Sequence, residues 1–389
     1  MGKIGKIIIF IILAVIIICG YFFVRKQQKA NKNTIDNNVI NTQENTVSQS
    51  KTTSKETTGV SVVPTMQDKI AANSSWCGTF QLVWNDMKNE VVKKDVVFTP
   101  QEEMAINLNK EEFKENMISS EYYFKKYGLK TLELKKEIEK GIQEKFNQTS
   151  DILDDFDWSE EGLNDPNNPD MRRYFFYVML YRKFEFLQKF DKLEKGSFGN
   201  KYDNIEYFGI GQNAKKAVRD QIDVLYYNSK DDFAIVINTK TKDEVIFCKN
   251  PKGDNFKEIY ENMNKEAANY TGSKEFKEMD EFKAPNLTFN EKREYTELQG
   301  KPFETADPMY PKAEIIKAIQ TIQFSLDEKG GKIKSEAGID MMKQAAIMEP
   351  EPEEPRYFYV NDTFTLFLRE KGKSMPYFAG RIEDITKFQ

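Results

Sequence analysis

The last eighty or so residues of the chain constrain the fold most strongly, because they contain a segment whose charged residues follow a two-residue period. Between Gly331 and Met341 every odd-numbered residue is uncharged. The charged residues of this segment fall on the other parity: Lys332, Lys334, Glu336 and Asp340. Successive side chains of a β-strand point to opposite faces, so this pattern predicts a strand with one buried face. An ordinary edge strand would show the same alternation.

An acidic, proline-rich run at residues 349–355 follows, and a second strand-like segment begins at Tyr357. Its characteristic residues are Asn361, Phe364, Leu366, Phe367, Leu368, Arg369, Phe378, Gly380, Arg381 and Ile382. Their order resembles the C-terminus of the serpin family, where a reactive loop precedes a strand of the form Asn-x-x-Phe-x-Phe-Leu-x-Arg and a closing strand Phe-x-Gly-Arg-Val. The resemblance implies an α+β fold with several mostly antiparallel or mixed sheets, N-terminal helices and an exposed reactive loop.

The resemblance also assigns a loop hinge and a bait bond. Serpins carry Glu-Glu-Gly before the loop, where residues 327–330 read Asp-Glu-Lys-Gly here. The implied hinge residues are Gly330, Gly331, Ser335, Glu336 and Ala337. If Ser-Glu-Ala at 335–337 replaces the family's Thr-Glu-Ala, the family's loop length places the bait bond between Met348 and Glu349. Counting from Gly330 instead places it near Gln344.

In serpins a target protease cleaves the loop, which then inserts into the largest sheet and distorts the attached enzyme. The resemblance therefore implies an inhibitor whose partner is a protease of the serine or cysteine class. Inhibitory hinges carry Thr-Glu and alanines after the glycine, whereas residues 332–334 read Lys-Ile-Lys here. This departure favours the alternative hypothesis, a non-inhibitory binding or structural module that uses the same fold as a scaffold.

Composition excludes several enzyme classes. The chain has no histidine and only three cysteines, so Ser-His-Asp and Cys-His catalysis cannot be assembled. Zinc would lack imidazole ligands, and we expect free thiols, no metal and no cofactor. The carboxylates at 151–170 lack the glycine and terminal glutamate of a calcium loop, and their adjacency in sequence says nothing about the separation that a glycosidase needs. We interpret them as a solvated loop and expect no enzymatic activity.

The N-terminus predicts a membrane anchor. The segment Ile7–Val24 is uncharged and long enough to span a bilayer. We predict an anchor at 1–26, a polar disordered linker at 27–68 and one serpin-like domain at 69–389, with the reactive-loop region at 330–356. The basic residues after the span weakly oppose export, but the Asn/Thr/Ser/Gln-rich tether favours a single-pass protein with an extracellular C-terminal domain.

Charge and element patterns complete the expectations. From residue 71 onward the chain holds 48 Lys and Arg against 58 Asp and Glu, so we expect no nucleic-acid partner. We also expect a monomer. Periodicity predicts a helix at 71–92, charged helical sequence at 102–145, a buried central strand within 174–190, an antiparallel meander at 218–249, a helix at 256–268 and a strand at 284–289.

Overall fold

The computed structural model describes residues 59–150, 152–160, 172–211, 214–332 and 354–389. All of these lie in one compact unit, residues 54–389. The predicted anchor, the linker up to residue 58 and most of the reactive loop lie outside the described residues. Among the residues that are described, no helix is long and apolar enough to cross a membrane.

The described residues form nineteen strands and five α-helices. The strands are β1 Ser61–Val62, β2 Ser74–Cys77, β3 Tyr123–Leu129, β4 Tyr174–Leu180, β5 Phe184–Glu185, β6 Asp191–Phe198, β7 Tyr202–Gly209, β8 Ile222–Ser229, β9 Asp232–Asn238, β10 Asp243–Lys249, β11 Glu281–Pro285, β12 Leu287–Glu294, β13 Pro302–Glu304, β14 Lys312–Glu314, β15 Ile319–Asp327, β16 Gly330–Lys332, β17 Tyr357–Tyr359, β18 Phe364–Glu370 and β19 Phe378–Ile382. The helices are α1 Thr79–Asp86, α2 Glu103–Asn109, α3 Leu132–Phe146, α4 Lys216–Arg219 and α5 Phe256–Asn269. A π-helix, Met87–Val92, continues α1.

A seven-stranded sheet in the order β1-β2-β19-β18-β10-β9-β8 forms the centre of the fold. Its strands pair antiparallel except β1 with β2. Strands β9, β10 and β18 are almost wholly buried, which explains their continuous apolar sequence. Helix α5, capped by the Asn255 side chain, buries Phe256, Ile259 and Met263 in the same core.

Two four-stranded sheets pack beside this core. Their orders are β17-β11-β7-β6 and β12-β15-β16-β5. The pair β3-β4 and the hairpin β13-β14 form separate two-stranded units. Helix α3 begins at the Thr131 cap and buries Leu134, Ile138 and Ile142 against one face of β4. Helix α3 thus covers the outer face of the β3-β4 pair.

Several sequence predictions are confirmed. The meander at 218–249 is β8-β9-β10, and the helix predicted at 256–268 is α5. The C-terminal strands are β17, β18 and β19. The charged sequence at 102–145 is helical only in part, because β3 separates α2 from α3.

Other boundaries were wrong. The helix predicted at 71–92 begins at Thr79, because residues 74–77 pair with β19 as strand β2. The strand predicted at 284–289 is two strands, β11 and β12, which meet at Asn286 and belong to different sheets.

The linker boundary at residue 68 was also placed too late. Residues 61–66 pair and pack with the domain, where Val62, Val63 and Met66 lie in the main core. Three short apolar side chains in a polar stretch carry too weak a period to be recognised as a strand.

Candidate functional site

Among the described residues, no strand lies between β4 and β15. Strand β15 pairs with β12 from Ile319 to Leu326, but with β16 only from Ser325 to Asp327. Strand β4 pairs with β3, and no described strand pairs with its opposite edge. The gap is part of a cavity of about 1700 Å³, lined by β4, β15, α1 and the β13-β14 hairpin. The strand predicted within 174–190 is therefore a border of this cavity rather than a central strand.

The two bordering strands present apolar side chains to the same core. Val178 and Leu180 of β4 pack against the main hydrophobic cluster, and Ile322, Phe324 and Leu326 of β15 are buried in it. The opposite face of β4 lies under α3. A strand between β4 and β15 would consequently have one apolar face buried in the main core. Near the start of β4, its other face would be directed toward α3.

The predicted hinge glycines belong to β16, which pairs with β15 next to Ser325, a residue that lines the cavity. In β16, Gly330 pairs with Asp327 and Glu185, and Gly331 pairs with Leu326 and Phe184. Strand β16 therefore lies between β15 and β5, and its last residue, Lys332, pairs with Ser325 of β15. Ser335, Glu336, Ala337, Met348 and Glu349, predicted as hinge and bait residues, lie outside the described residues, as does Gln344.

Glycine is required at both hinge positions because β5 approaches closely. A Cβ at Gly331 would lie 2.2 Å from the Phe184 ring. At Gly330 a Cβ would lie 2.4 Å from the Phe184 carbonyl oxygen, and φ is +140°. The Phe186 amide also donates to the Lys329 carbonyl at 3.0 Å, so the turn before β16 is tied to β5.

The two ends of the segment 333–353 belong to different sheets. Its N-terminal end follows β16, whereas its C-terminal end leads to β17 beside β11. Arg356 fixes the second end, since its Nη2 lies 2.6 Å from Oδ2 of the buried Asp280. The Arg356 amide donates to the same carboxylate at 3.1 Å. This segment is therefore held at both ends by the folded domain.

A buried ionic cluster, which sequence reasoning missed, lies at the junction of β4 and β5. Arg182, fully buried between these strands, has its Nε 2.7 Å from Asp243 Oδ1 and its Nη1 3.0 Å from Glu370 Oε2. Tyr377 donates to Asp243 at 2.8 Å. A single arginine in an otherwise aromatic run was the available signal, because a charge in a buried strand needs partners.

Burial and pairing shift the pKa values of this cluster in different directions. Burial raises the pKa of Asp243 above its usual range, although Arg182 and Tyr377 oppose the shift. Burial would also raise the pKa of Glu370, but hydrogen bonds from Ser119 and Arg182 outweigh it and lower the value. The difference arises because Glu370 is less deeply buried and accepts two hydrogen bonds from Ser119.

In the part of the chain that is described, the metal-binding and carboxylate sites considered from the sequence have no matching group of side chains. No group of three or more His, Cys, Asp or Glu residues is arranged to hold a metal ion there. Of the acidic segment, Asp155 pairs with Lys292 at 2.7 Å and Asp154 with Lys135 at 3.3 Å. Cys77 and Cys248 are buried free thiols, as predicted.

No protein-family description and no curated protein sequence matches the chain. Solved structures similar to it include Serpin48 of the insect Tenebrio molitor, with a TM-score of 0.42 and 14% identity over 80% of this chain and 92% of that one. A thyroxine-binding globulin complex with thyroxine gives 0.41 and 10% over the same shares. Serine protease inhibitor (serpin)-12 of Manduca sexta gives 0.39 and 11% over 64% of each chain.

The described residues form an α+β fold with several mostly antiparallel or mixed sheets, as predicted, and the solved structures similar to the chain include serpins. At these TM-scores and identities, nothing about activity follows from the similarity.

Proposed function

We propose that the chain is a protease inhibitor that acts through loop insertion: a protease cleaves the segment 333–353, and the freed strand fills the gap between β4 and β15. The observation that carries this proposal is the register of β16. The two glycines pair with β15 and β5, so they would form the first positions of an inserted strand. The cleaving protease would supply the chemistry, so the chain needs neither a catalytic residue nor a cofactor.

Extending that register matches the sequence pattern of the loop. Gly331 lies opposite Leu326 and Phe184, which both face the main core. Every second residue after Gly331 would face the same core, and these are the uncharged odd-numbered residues up to Met341. On β15 they would pack beside Phe324 and Ile322. A slip of one residue would bury the lysines instead, so the charge pattern supports this register alone.

The face of the inserted strand that points away from the core favours a second function. In the same register the even-numbered residues face away from the core, and Asp340 would lie opposite Phe175, which packs under α3. An unpaired carboxylate there would cost several kcal/mol. If insertion stopped before Asp340, only the hinge residues would be paired in the sheet, and the rest of the domain would serve as a fixed scaffold. This supports a non-inhibitory binding module as the alternative.

We further propose that the domain is tethered at the outer surface of a cell membrane by the segment Ile7–Val24. The target is a serine or cysteine protease that reaches the loop near Met348. The uncharged segment and the polar linker support this location. The acidic residues after Met348 and the prolines among them restrict which proteases can bind there, because proline cannot donate the backbone hydrogen bond.

The test is limited proteolysis of the full chain in detergent, with the cut mapped by mass and the melting temperature measured before and after. We expect a cut between 341 and 353 to raise the melting temperature by more than 10 °C, on the order of the gain that several kcal/mol give. Ser335→Lys places a charge on the core-facing parity and should abolish the rise. Glu336→Lys is the matched control, because it keeps a charge on the outer parity and should preserve the rise.

An unchanged melting temperature after a mapped cut in the natural sequence would refute loop insertion. The binding module would then remain. Equal behaviour of the two lysine variants would refute the register while leaving insertion itself standing.

A further inference from the structure

The fully buried Arg182 lies between β4 and β5, which belong to two different sheets. The strand that precedes Arg182, β4, borders the cavity. The strand that follows it, β5, pairs with the hinge strand β16. Arg182 shares the core-facing parity of Leu180 and Phe184, since it is two residues from each. A strand that extended β16 into the cavity would therefore pass Arg182 immediately after its last seated core-facing residue, Gly331.

The guanidinium of Arg182 is held entirely by groups outside the cavity. It contacts Asp243 of β10 and Glu370 of β18 at 2.7 and 3.0 Å, and its Nη2 donates to the Thr241 carbonyl at 3.3 Å. The Tyr122 ring stacks against it, with a distance of 3.6 Å from the guanidinium carbon to the ring centroid. These contacts connect the β4-β5 junction to the seven-stranded sheet.

The neighbouring backbone reinforces the same attachment. The Tyr181 amide donates to the Tyr122 carbonyl at 3.0 Å, and the Lys240 amide donates to the Glu185 carbonyl at 2.9 Å. The junction is thus fixed to the turn before β10 and to the segment before β3. Any movement of β4 that adjusts the cavity to a new strand must work against these bonds, of which the buried charge pairs are the strongest.

We propose that Arg182 is a positioning residue that restrains loop insertion by fixing β4 to the seven-stranded sheet. The proposal rests on the insertion proposed above and concerns its regulation. Arg182 lies outside the segment 333–353 that the protease would cleave. It acts by holding the border of the cavity, so its removal lowers the barrier to the movement that admits the strand. Insertion therefore becomes faster without a change in the final inserted state.

The experiment measures the rate of insertion in the full chain after rapid cleavage of the loop. Aliquots taken with time are challenged with urea, and the fraction that has become resistant is recorded. We expect Arg182→Met to speed the appearance of resistant protein at least tenfold, and Arg182→Lys, which retains the charge, to restore most of the slow rate. The final melting temperature relative to the uncleaved form should still rise in each variant.

Arg369→Met is the matched control. Arg369 pairs with Glu244 at 2.7 Å between the same strands, one position from the Asp243–Glu370 pair, but does not contact the β4-β5 junction. It should destabilise the domain without speeding insertion. If Arg182→Met does not fold, Tyr377→Phe, which removes one hydrogen bond from Asp243, should give a smaller acceleration of about twofold.

The outcomes separate the two proposals. If the natural sequence inserts but Arg182→Met, or Tyr377→Phe in its place, leaves the rate unchanged or lowers it, Arg182 has no restraining role and loop insertion stands. Equal acceleration by Arg369→Met would also overturn the role, because general destabilisation would explain the rate. If the cleaved natural sequence gains no resistance, both proposals fail.

Discussion

Two adjacent glycines determine how closely the chain that leaves β15 can approach β5. Gly330 and Gly331 bring the β16 backbone against Phe184, and side chains at either position would collide with the backbone or ring of that residue. Arg182 lies two residues before Phe184 and has the same core-facing parity. It contacts the seven-stranded sheet rather than the hinge. These three residues therefore lie where the paired strands β15, β16 and β5 give way to the cavity between β15 and β4.

Gly330→Ala should unseat the hinge. Its Cβ would meet the Phe184 carbonyl oxygen in addition to the strain of a positive φ, so we expect the free energy of unfolding to fall by about 3 kcal/mol. Gly372→Ala is the control, because Gly372 also has a positive φ of +85° but no neighbouring atom within 4 Å of its Cβ position. We expect it to cost only about 1–2 kcal/mol. Urea unfolding measures both values, and equal losses would show that the close approach to Phe184 contributes nothing.

At the scale of elements, the short strand β1 extends the domain into the stretch predicted as linker. The Ser61 amide donates to the Asn73 carbonyl at 2.9 Å, and the Val63 amide donates to the Ser75 carbonyl at 3.0 Å. Trp76 of β2 donates its indole N–H to the Pro64 carbonyl at 3.3 Å. Strand β1 thus covers an edge of the seven-stranded sheet that β2 would otherwise expose.

A chain that begins at Lys69 should be markedly less stable than one that begins at Ser54. It lacks the buried side chains of Val62, Val63 and Met66, each of which contributes about 1.5–3 kcal/mol on burial. We expect a loss of at least about 4 kcal/mol in the free energy of unfolding, measured by urea denaturation of the two chains. Identical denaturation midpoints would show that residues 61–66 do not stabilise the domain and would restore the predicted boundary at residue 68.

At the scale of the whole molecule, the seven-stranded sheet joins the N-terminal and C-terminal parts of the chain. It contains β1 and β2 from the start of the domain and β18 and β19 from its end, with the meander β8-β9-β10 alongside. Cys77 and Cys248 lie in this sheet, in β2 and β10. The two thiols therefore report on the opening of the same sheet at two separate strands.

Both thiols should resist alkylation in the folded chain and react together on unfolding. Burial raises the pKa of Cys77, and burial also raises the pKa of Cys248 to about 11, so the reactive thiolate is scarce at neutral pH in addition to being inaccessible. Labelling a Cys19→Ser chain over a urea series, with mass mapping, should give one common midpoint. Labelling of Cys77 at lower urea than Cys248 would instead show that the β1-β2 edge opens separately.

The local patterns of the sequence predicted much of the fold but less of the candidate site. Period-two alternation identified the meander, and periodicity identified α5, because these signals arise from neighbouring residues. The hinge glycines were assigned through the resemblance of the residues around them, and their role as a hinge stays a prediction. Arg182 was missed because its partners Asp243 and Glu370 are distant in sequence, and only the folded chain brings them together.

The sequence by itself determined the strand periods, the parity of charges at 331–341, the absence of imidazole chemistry and the serpin-like order of the C-terminal elements. Each of these depends on the identity and spacing of nearby residues. Only the tertiary structure decided that β4 and β15 line one cavity, that β16 pairs between β15 and β5 and that Arg182 meets Asp243. The physical reason is that strand pairing and the burial of charge depend on contacts between residues far apart in the chain, which no local pattern encodes.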